Sequence, residues 1–119
     1  MQYMLLIYEA EQVWENMTDE ERRAVLKEHM ALRERLANDS VEVSGAPLLP
    51  TSSASSLQIR SGKRQVRDGP FAETREQLLG FYLLDVASVD AALEYAAMIP
   101  SARNGTIEVR ALADFSEYT

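Results

Sequence analysis

The one histidine of this 119-residue chain, His29, lies on an apolar stripe with Val25, Leu32 and Leu36. Spacings of four, three and four residues place these side chains on one face of a helix. An imidazole that faces a core needs a hydrogen-bond partner, because an unpaired buried polar group costs about 1–3 kcal/mol. Asp68, a carboxylate expected at the end of a strand, is the candidate partner. It would orient the ring and raise its basicity, as a general acid or base requires.

Asp68 opens a run, Asp68-Gly69-Pro70-Phe71, in which the backbone is tightly constrained. Gly69 permits a positive φ and Pro70 fixes φ near about −65°, so a turn here sets the direction of the side chains on either side. Phe71 is expected in the core or in the wall of a pocket. Asp68 could equally accept hydrogen bonds from its own turn, and a His29–Asp68 pair could be purely structural.

Three further side chains are candidate ligand contacts beside Phe71. Tyr8 ends the first predicted strand and Tyr82 lies in a later one, and both could offer a hydroxyl to a ligand, although core packing is the expected use of each. Arg110 alternates with Ile107 and Val109, so it lies on the opposite face of its strand and could hold a substrate carboxylate. Arg110 could equally form an ion pair with a glutamate.

One histidine and no cysteine argue against a zinc site, and no glycine-rich phosphate loop is present. We therefore expect no metal and no cofactor.

Composition restricts the class of protein. Residues 1–119 are enough for a single domain, and 46% hydrophobic with 26% charged residues is ordinary for a globular chain. The net charge of −7 disfavours nucleic acid and anionic membranes as partners. No apolar run approaches the about 20 residues that cross a bilayer, and the N-terminus lacks the features of a signal peptide. The absence of cysteine fits a cytoplasmic location, which we expect.

The pattern of apolar residues predicts two long helices and six strands. A capping box at Thr18 begins a helix that runs to about Asn38, with Leu26 and Met30 widening its stripe. Ser88 begins a second helix whose buried stripe is predicted as Val89, Ala92, Leu93, Ala96 and Ala97. Residues 9–17 are expected to form a loop. Strands are predicted at 3–8, 41–46, 57–60, 63–67, 80–85 and 106–110, the third and fourth forming a hairpin around Ser61-Gly62.

This order predicts an α+β ferredoxin-like sandwich, an antiparallel sheet with two helices on one face. Strands 3–8 and 80–85 are apolar on both faces, which leaves an exposed apolar sheet face of several hundred Å2, more than monomers usually carry. We expect a homodimer through this face, built from Tyr3, Leu5 and Ile7 or from the alternate set Met4, Leu6 and Tyr8, with Phe81 or Tyr82. Long loops that cover the face are the alternative.

The motifs resemble those of the DGPF and YCII-related family over almost the whole chain. The matching segments are 1–8, His29, 45–48, the signature 68–76, 80–82, Pro100 and 105–110. Two positions depart from the family pattern: Ala111 stands where a proline is common, and Arg75 replaces a more usual lysine.

The resemblance implies a ferredoxin-like fold that assembles into a dimeric α/β barrel. It also implies an active-site pair that maps onto His29 and Asp68, and a link to extracytoplasmic-function sigma factors.

Two candidate functions follow, and the sequence does not decide whether the protein is an enzyme. The first is an enzyme that acts on a small organic molecule through His29 and Asp68. The second is a non-catalytic dimer that binds a metabolite or serves regulation.

Overall fold

The computed structural model describes residues 1–119 and contains three helices and six strands. The helices are α1 (Glu11–Glu15), α2 (Asp19–Asn38) and α3 (Val89–Ala96). The strands are β1 (Gln2–Glu9), β2 (Glu42–Pro47), β3 (Ser55–Arg60), β4 (Lys63–Asp68), β5 (Gln77–Asp85) and β6 (Thr106–Ala111). The predicted elements are thus confirmed. Two differences are α1, which replaces part of the expected loop, and β5, which begins three residues earlier than predicted.

Four of the strands form an antiparallel sheet in the order β2-β5-β1-β6. This α+β arrangement is consistent with the predicted ferredoxin-like fold. The sheet does not close into a barrel, since β3 and β4 pair only with each other. The β3–β4 hairpin, Ser55–Asp68, is called the arm below, and the rest of the chain is called the body.

One face of the sheet packs against α2 and α3 and forms the core. The largest fully buried side chains are Leu5, Leu36, Leu84 and Ile99. Alternation along β1 puts Tyr3, Leu5 and Ile7 in this core and their neighbours on the other face. Of the two sets expected for the open face, the structure therefore selects the second.

The long helix α2 begins as its sequence predicts. Thr18 accepts a hydrogen bond from the backbone N–H of Glu21, and the Glu21 side chain accepts one from the Thr18 N–H, which completes a capping box. The stripe is narrower than expected, because only Leu32 and Leu36 are fully buried.

Four apolar residues that we predicted for the helix stripes are largely exposed. Leu26 and Met30 are exposed on α2, and Val89 and Leu93 on α3. The prediction that they face the core was wrong. About one residue per helical turn contacts the sheet, so the buried stripe of each helix is narrower than the predicted one. On α3 the prediction was right for the small residues Ala92 and Ala96, which are buried and let the helix approach the sheet closely.

The turn at the root of the arm has the predicted geometry. Gly69 has a φ of +93°, a conformation that side chains disfavour. Its N–H donates to Ala54 O at 2.6 Å, and its carbonyl accepts from the Ser56 hydroxyl at 2.8 Å. These bonds close the base of the hairpin.

Candidate functional site

His29 hydrogen-bonds to a tyrosine of the sheet. Its Nδ1 lies 2.8 Å from the Tyr82 hydroxyl oxygen, and the two rings lie 19° from parallel with their centroids 6.1 Å apart. His29 is half-buried, whereas Tyr82 is 6% exposed. Alternation along β5 explains the contact, because Gly80, Tyr82 and Leu84 all face the helices. Tyr82 alone of these three carries a polar group.

Burial lowers the pKa of His29 below its ordinary value of 6.5, and only the neighbouring Glu28 charge opposes this. The imidazole is therefore neutral at pH 7. Burial likewise raises the pKa of Tyr82, so the phenol keeps its proton. His29 Nε2 has no hydrogen-bond partner in the chain, which leaves this ring atom available to a ligand.

An ion pair borders the His29–Tyr82 pair. Arg33 lies one turn after His29 on α2, and its Nε is 3.3 Å from Glu42 Oε1 on β2. Burial is the main cause of the raised pKa of Tyr82, while the charge of Arg33 lowers this pKa and that of Glu42 raises it. Glu42 Oε1 is buried and accepts no hydrogen bond. The cluster thus joins a neutral imidazole, a phenol, a cation and a carboxylate acceptor.

A glycine gives this cluster its room. Gly45 of β2 lies beside Tyr82, and a Cβ at this position would be 3.2 Å from the tyrosine ring and 3.1 Å from the Phe81 carbonyl oxygen. Any larger residue would press on Tyr82 and its hydrogen bond. Gly45 therefore helps to set the position of the phenol that holds His29.

Asp68 and Phe71 lie at the root of the arm and do not contact His29. Asp68 is exposed and pairs with Ser55 across the hairpin. Phe71 is 77% exposed, so the expectation of a core position was wrong. It lines a small hollow of about 90 Å3 with Ser56, Gln58, Gln65 and Arg67. Within one chain, the structure brings no carboxylate into hydrogen-bonding distance of His29.

Tyr8 and Arg110 lie on the opposite face of the sheet from His29. Tyr8 is half-buried opposite Thr106, and Arg110 is exposed opposite Met4. Their roles as ligand contacts stay predictions. The sequence had indicated Tyr82 as a possible ligand contact or a residue of the dimer interface, and it had not singled out Arg33 or Glu42. Tyr82 could have been found as the one hydroxyl on the helix-facing side of β5.

Comparison with known proteins agrees with the resemblance drawn from the sequence. A family model for the YCII-related domain matches residues 1–116. A relative from Rhizobium meliloti (strain 1021), "Uncharacterized protein R00369", is 41% identical over 115 residues, which is 95% of this chain and 93% of the relative. The fold, the signature residues and these matches agree, and the chain belongs to the family of YCII-related domain proteins.

Proposed function

We propose that the protein acts on a small polar molecule at the cluster of His29, Tyr82, Arg33 and Glu42, with His29 as general acid or base. The observation that carries this proposal is the 2.8 Å hydrogen bond between His29 and Tyr82. It anchors one ring nitrogen and leaves Nε2 for a substrate. A base that stays neutral at pH 7 is ready to accept a proton.

The tautomer of His29 determines the chemistry. If Nδ1 carries the proton and donates to Tyr82, Nε2 has a free lone pair and acts as a base. If the Tyr82 hydroxyl donates to Nδ1, Nε2–H is a hydrogen-bond donor that can hold a carbonyl or carboxylate. The catalytic proposal requires the first tautomer. Arg33 would supply a positive charge for an anionic group of the substrate.

Asp68 stays part of the catalytic hypothesis through the family resemblance. It would have to reach His29 by a change in the conformation of the arm, or it would have to come from a second copy of the chain.

The rival function is a non-catalytic binding or regulatory dimer. The lack of any carboxylate hydrogen-bonded to His29 within the chain favours this rival. The sigma-factor link and the cytoplasmic location stay predictions, and none of the helices has the length and apolar character of a membrane span.

A thermal-shift screen against metabolites tests both functions, with wild type beside His29→Gln and Tyr82→Phe. We expect a stabilising ligand for wild type whose effect is lost in His29→Gln. Chemical analysis of the recovered ligand then separates the two functions, since conversion means catalysis and an unaltered ligand means binding alone. Full turnover in both His29→Gln and Asp68→Asn would exclude the general acid–base assignment.

We also propose a homodimer through the open face of the sheet. Met4, Leu6 and Tyr8 of β1 lie on this face with Phe81 and Leu83 of β5, and they are half-buried without any helix above them. Exposed Glu108 and Arg110 of β6 border the patch. An apolar centre with a charged rim is the usual composition of an interface. Light scattering at micromolar concentration should give about twice the 13.4 kDa chain mass, and a soluble monomer would contradict it.

A further inference from the structure

The arm extends away from the body. The radius of gyration is 16.6 Å, whereas a compact domain of this length has about 13.5 Å. The Cα atoms span 49 × 48 × 19 Å, so the molecule is flat. All six residues of β4 and five of the six in β3 are exposed. A two-stranded hairpin alone is at best marginally stable in water, so this one needs a surface to rest on.

One face of the arm is apolar. Leu57 and Ile59 alternate on β3, and Val66 lies directly opposite Leu57, so all three share a face. They are 53%, 59% and 59% exposed. Contiguous apolar side chains on a hairpin that no other element covers are typical of a binding surface.

The arm and the body carry opposite charges. Four basic residues and one acid give the arm a net charge of +3, which leaves −10 on the body out of the total of −7. None of the arm's cations, Arg60, Lys63, Arg64 and Arg67, forms an ion pair, whereas four arginines of the body do. The arm therefore complements the surface of another copy of its own body.

The sheet face alone is small for a stable dimer. From strand spacing and rise, one face of the four-stranded sheet covers about 400 Å2 and one face of the arm about 200 Å2. A stable interface buries about 800 Å2 on each partner. Adding one face of the arm brings the area that each partner can bury closer to this value.

We propose that the arm of each protomer packs on the body of a second copy, with Leu57, Ile59 and Val66 against that copy's apolar surface. Arg64, which lies opposite Ile59 on the same face of the arm, would then lie beside its acidic groups. The inference rests on the proposed homodimer and deepens it. In a two-fold dimer the contact occurs twice, because each arm meets the other body.

Sedimentation equilibrium of matched variants tests this contact. The arm variant is Leu57→Ser, and its control is Leu26→Ser on α2, because these leucines are 53% and 51% exposed. The charge variant is Arg64→Glu, with Arg23→Glu, which is exposed on α2, as its control on the body. Both arm variants should weaken the dimer tenfold or more, whereas both controls should leave its Kd within about twofold of wild type. Leu6→Glu tests the sheet face separately.

Hydrogen exchange of the arm amides provides a second readout that does not depend on a variant's folding. In wild type, the amides of β3 and β4 should become protected as the protein concentration rises through the dimer Kd. A dimer whose Kd is unchanged in both arm variants would overturn the arm contact and leave the sheet-face dimer standing. A wild-type monomer at all concentrations would overturn both. Arm protection that appears only on adding an oligonucleotide would assign the cations to nucleic acid and overturn the inference.

Discussion

The body and the arm are built from similar strands but differ in what surrounds them. In the body, β1 and β5 lie at the centre of a sheet and bury one face under two helices. In the arm, β3 and β4 pair only with each other, and both faces meet solvent. The same residue types therefore have different roles: a leucine in the body holds the fold together, and a leucine in the arm is available to a partner.

The largest expected effect compares two leucines. Leu36→Ala removes a side chain that is 1% exposed and should lower the free energy of unfolding by about 2–5 kcal/mol. Leu57→Ala removes one that is 53% exposed and should change it by less than about 0.5 kcal/mol in the monomer. Urea denaturation at low protein concentration measures both. Equal losses would mean that the arm is part of the cooperative core.

The second comparison uses two tyrosine hydroxyls. Tyr82→Phe removes the partner of a half-buried histidine and should cost about 1–3 kcal/mol of stability. Tyr95→Phe removes a hydrogen bond to Asp39 Oδ2 at 2.6 Å that lies at the surface. Tyr95→Phe should lower the stability less than Tyr82→Phe does, since water can hydrogen-bond to Asp39 in place of the lost hydroxyl. If the surface variant is the more destabilised one, the His29–Tyr82 bond contributes little to the body.

Much of this body could be predicted from sequence, because its elements have strong local signals. The capping box at Thr18 and the apolar run at residues 3–8 predicted α2 and β1 correctly. The five-residue α1 was missed, since one turn of helix is too short to show a period. Leu26 and Met30 were assigned to the core because apolar character alone cannot tell how wide a contact the sheet offers to α2.

The partner of His29 could not be predicted in the same way. Pairing of a helix residue with a strand residue depends on where α2 crosses β5, and no local pattern specifies that crossing. Asp68 was chosen for its charge and its constrained turn, and the turn was correct. Asp68 lies on the arm because it is the last residue of β4. The cluster of Arg33 and Glu42 was missed for the same reason as Tyr82.

The third prediction concerns pH, and it separates the body from the arm. The folded-state pKa of His29 lies below 6.5, so protonation favours the unfolded chain. Its contribution to stability is complete above about pH 6.5 and is lost as the pH falls through the lowered pKa. His29→Gln should remove this part of the pH dependence. Leu57→Ser on the arm neither adds nor removes a titratable group, so it should leave the shape of the profile unchanged.

The smallest expected effect compares two glycines. Gly45→Ala in β2 would bring a methyl group 3.2 Å from the Tyr82 ring and should alter the titration of His29. Gly69→Ala would strain the root of the arm, where φ is +93°, with no atom within 4 Å of the new methyl group. It should speed hydrogen exchange in the arm and leave the His29 titration unchanged. An effect of Gly69→Ala on His29 would show that the arm and the site are coupled within one chain.

Nitrogen NMR of the single histidine tests the central claim most directly. Wild type and Tyr82→Phe are titrated from pH 4 to pH 8, and the nitrogen shifts report both the pKa and the tautomer. We predict a pKa below 6.5 in wild type, a neutral ring protonated at Nδ1 at pH 7, and a changed pKa in Tyr82→Phe. A pKa at or above 6.5 that does not respond to Tyr82→Phe would contradict a site built on the His29–Tyr82 pair.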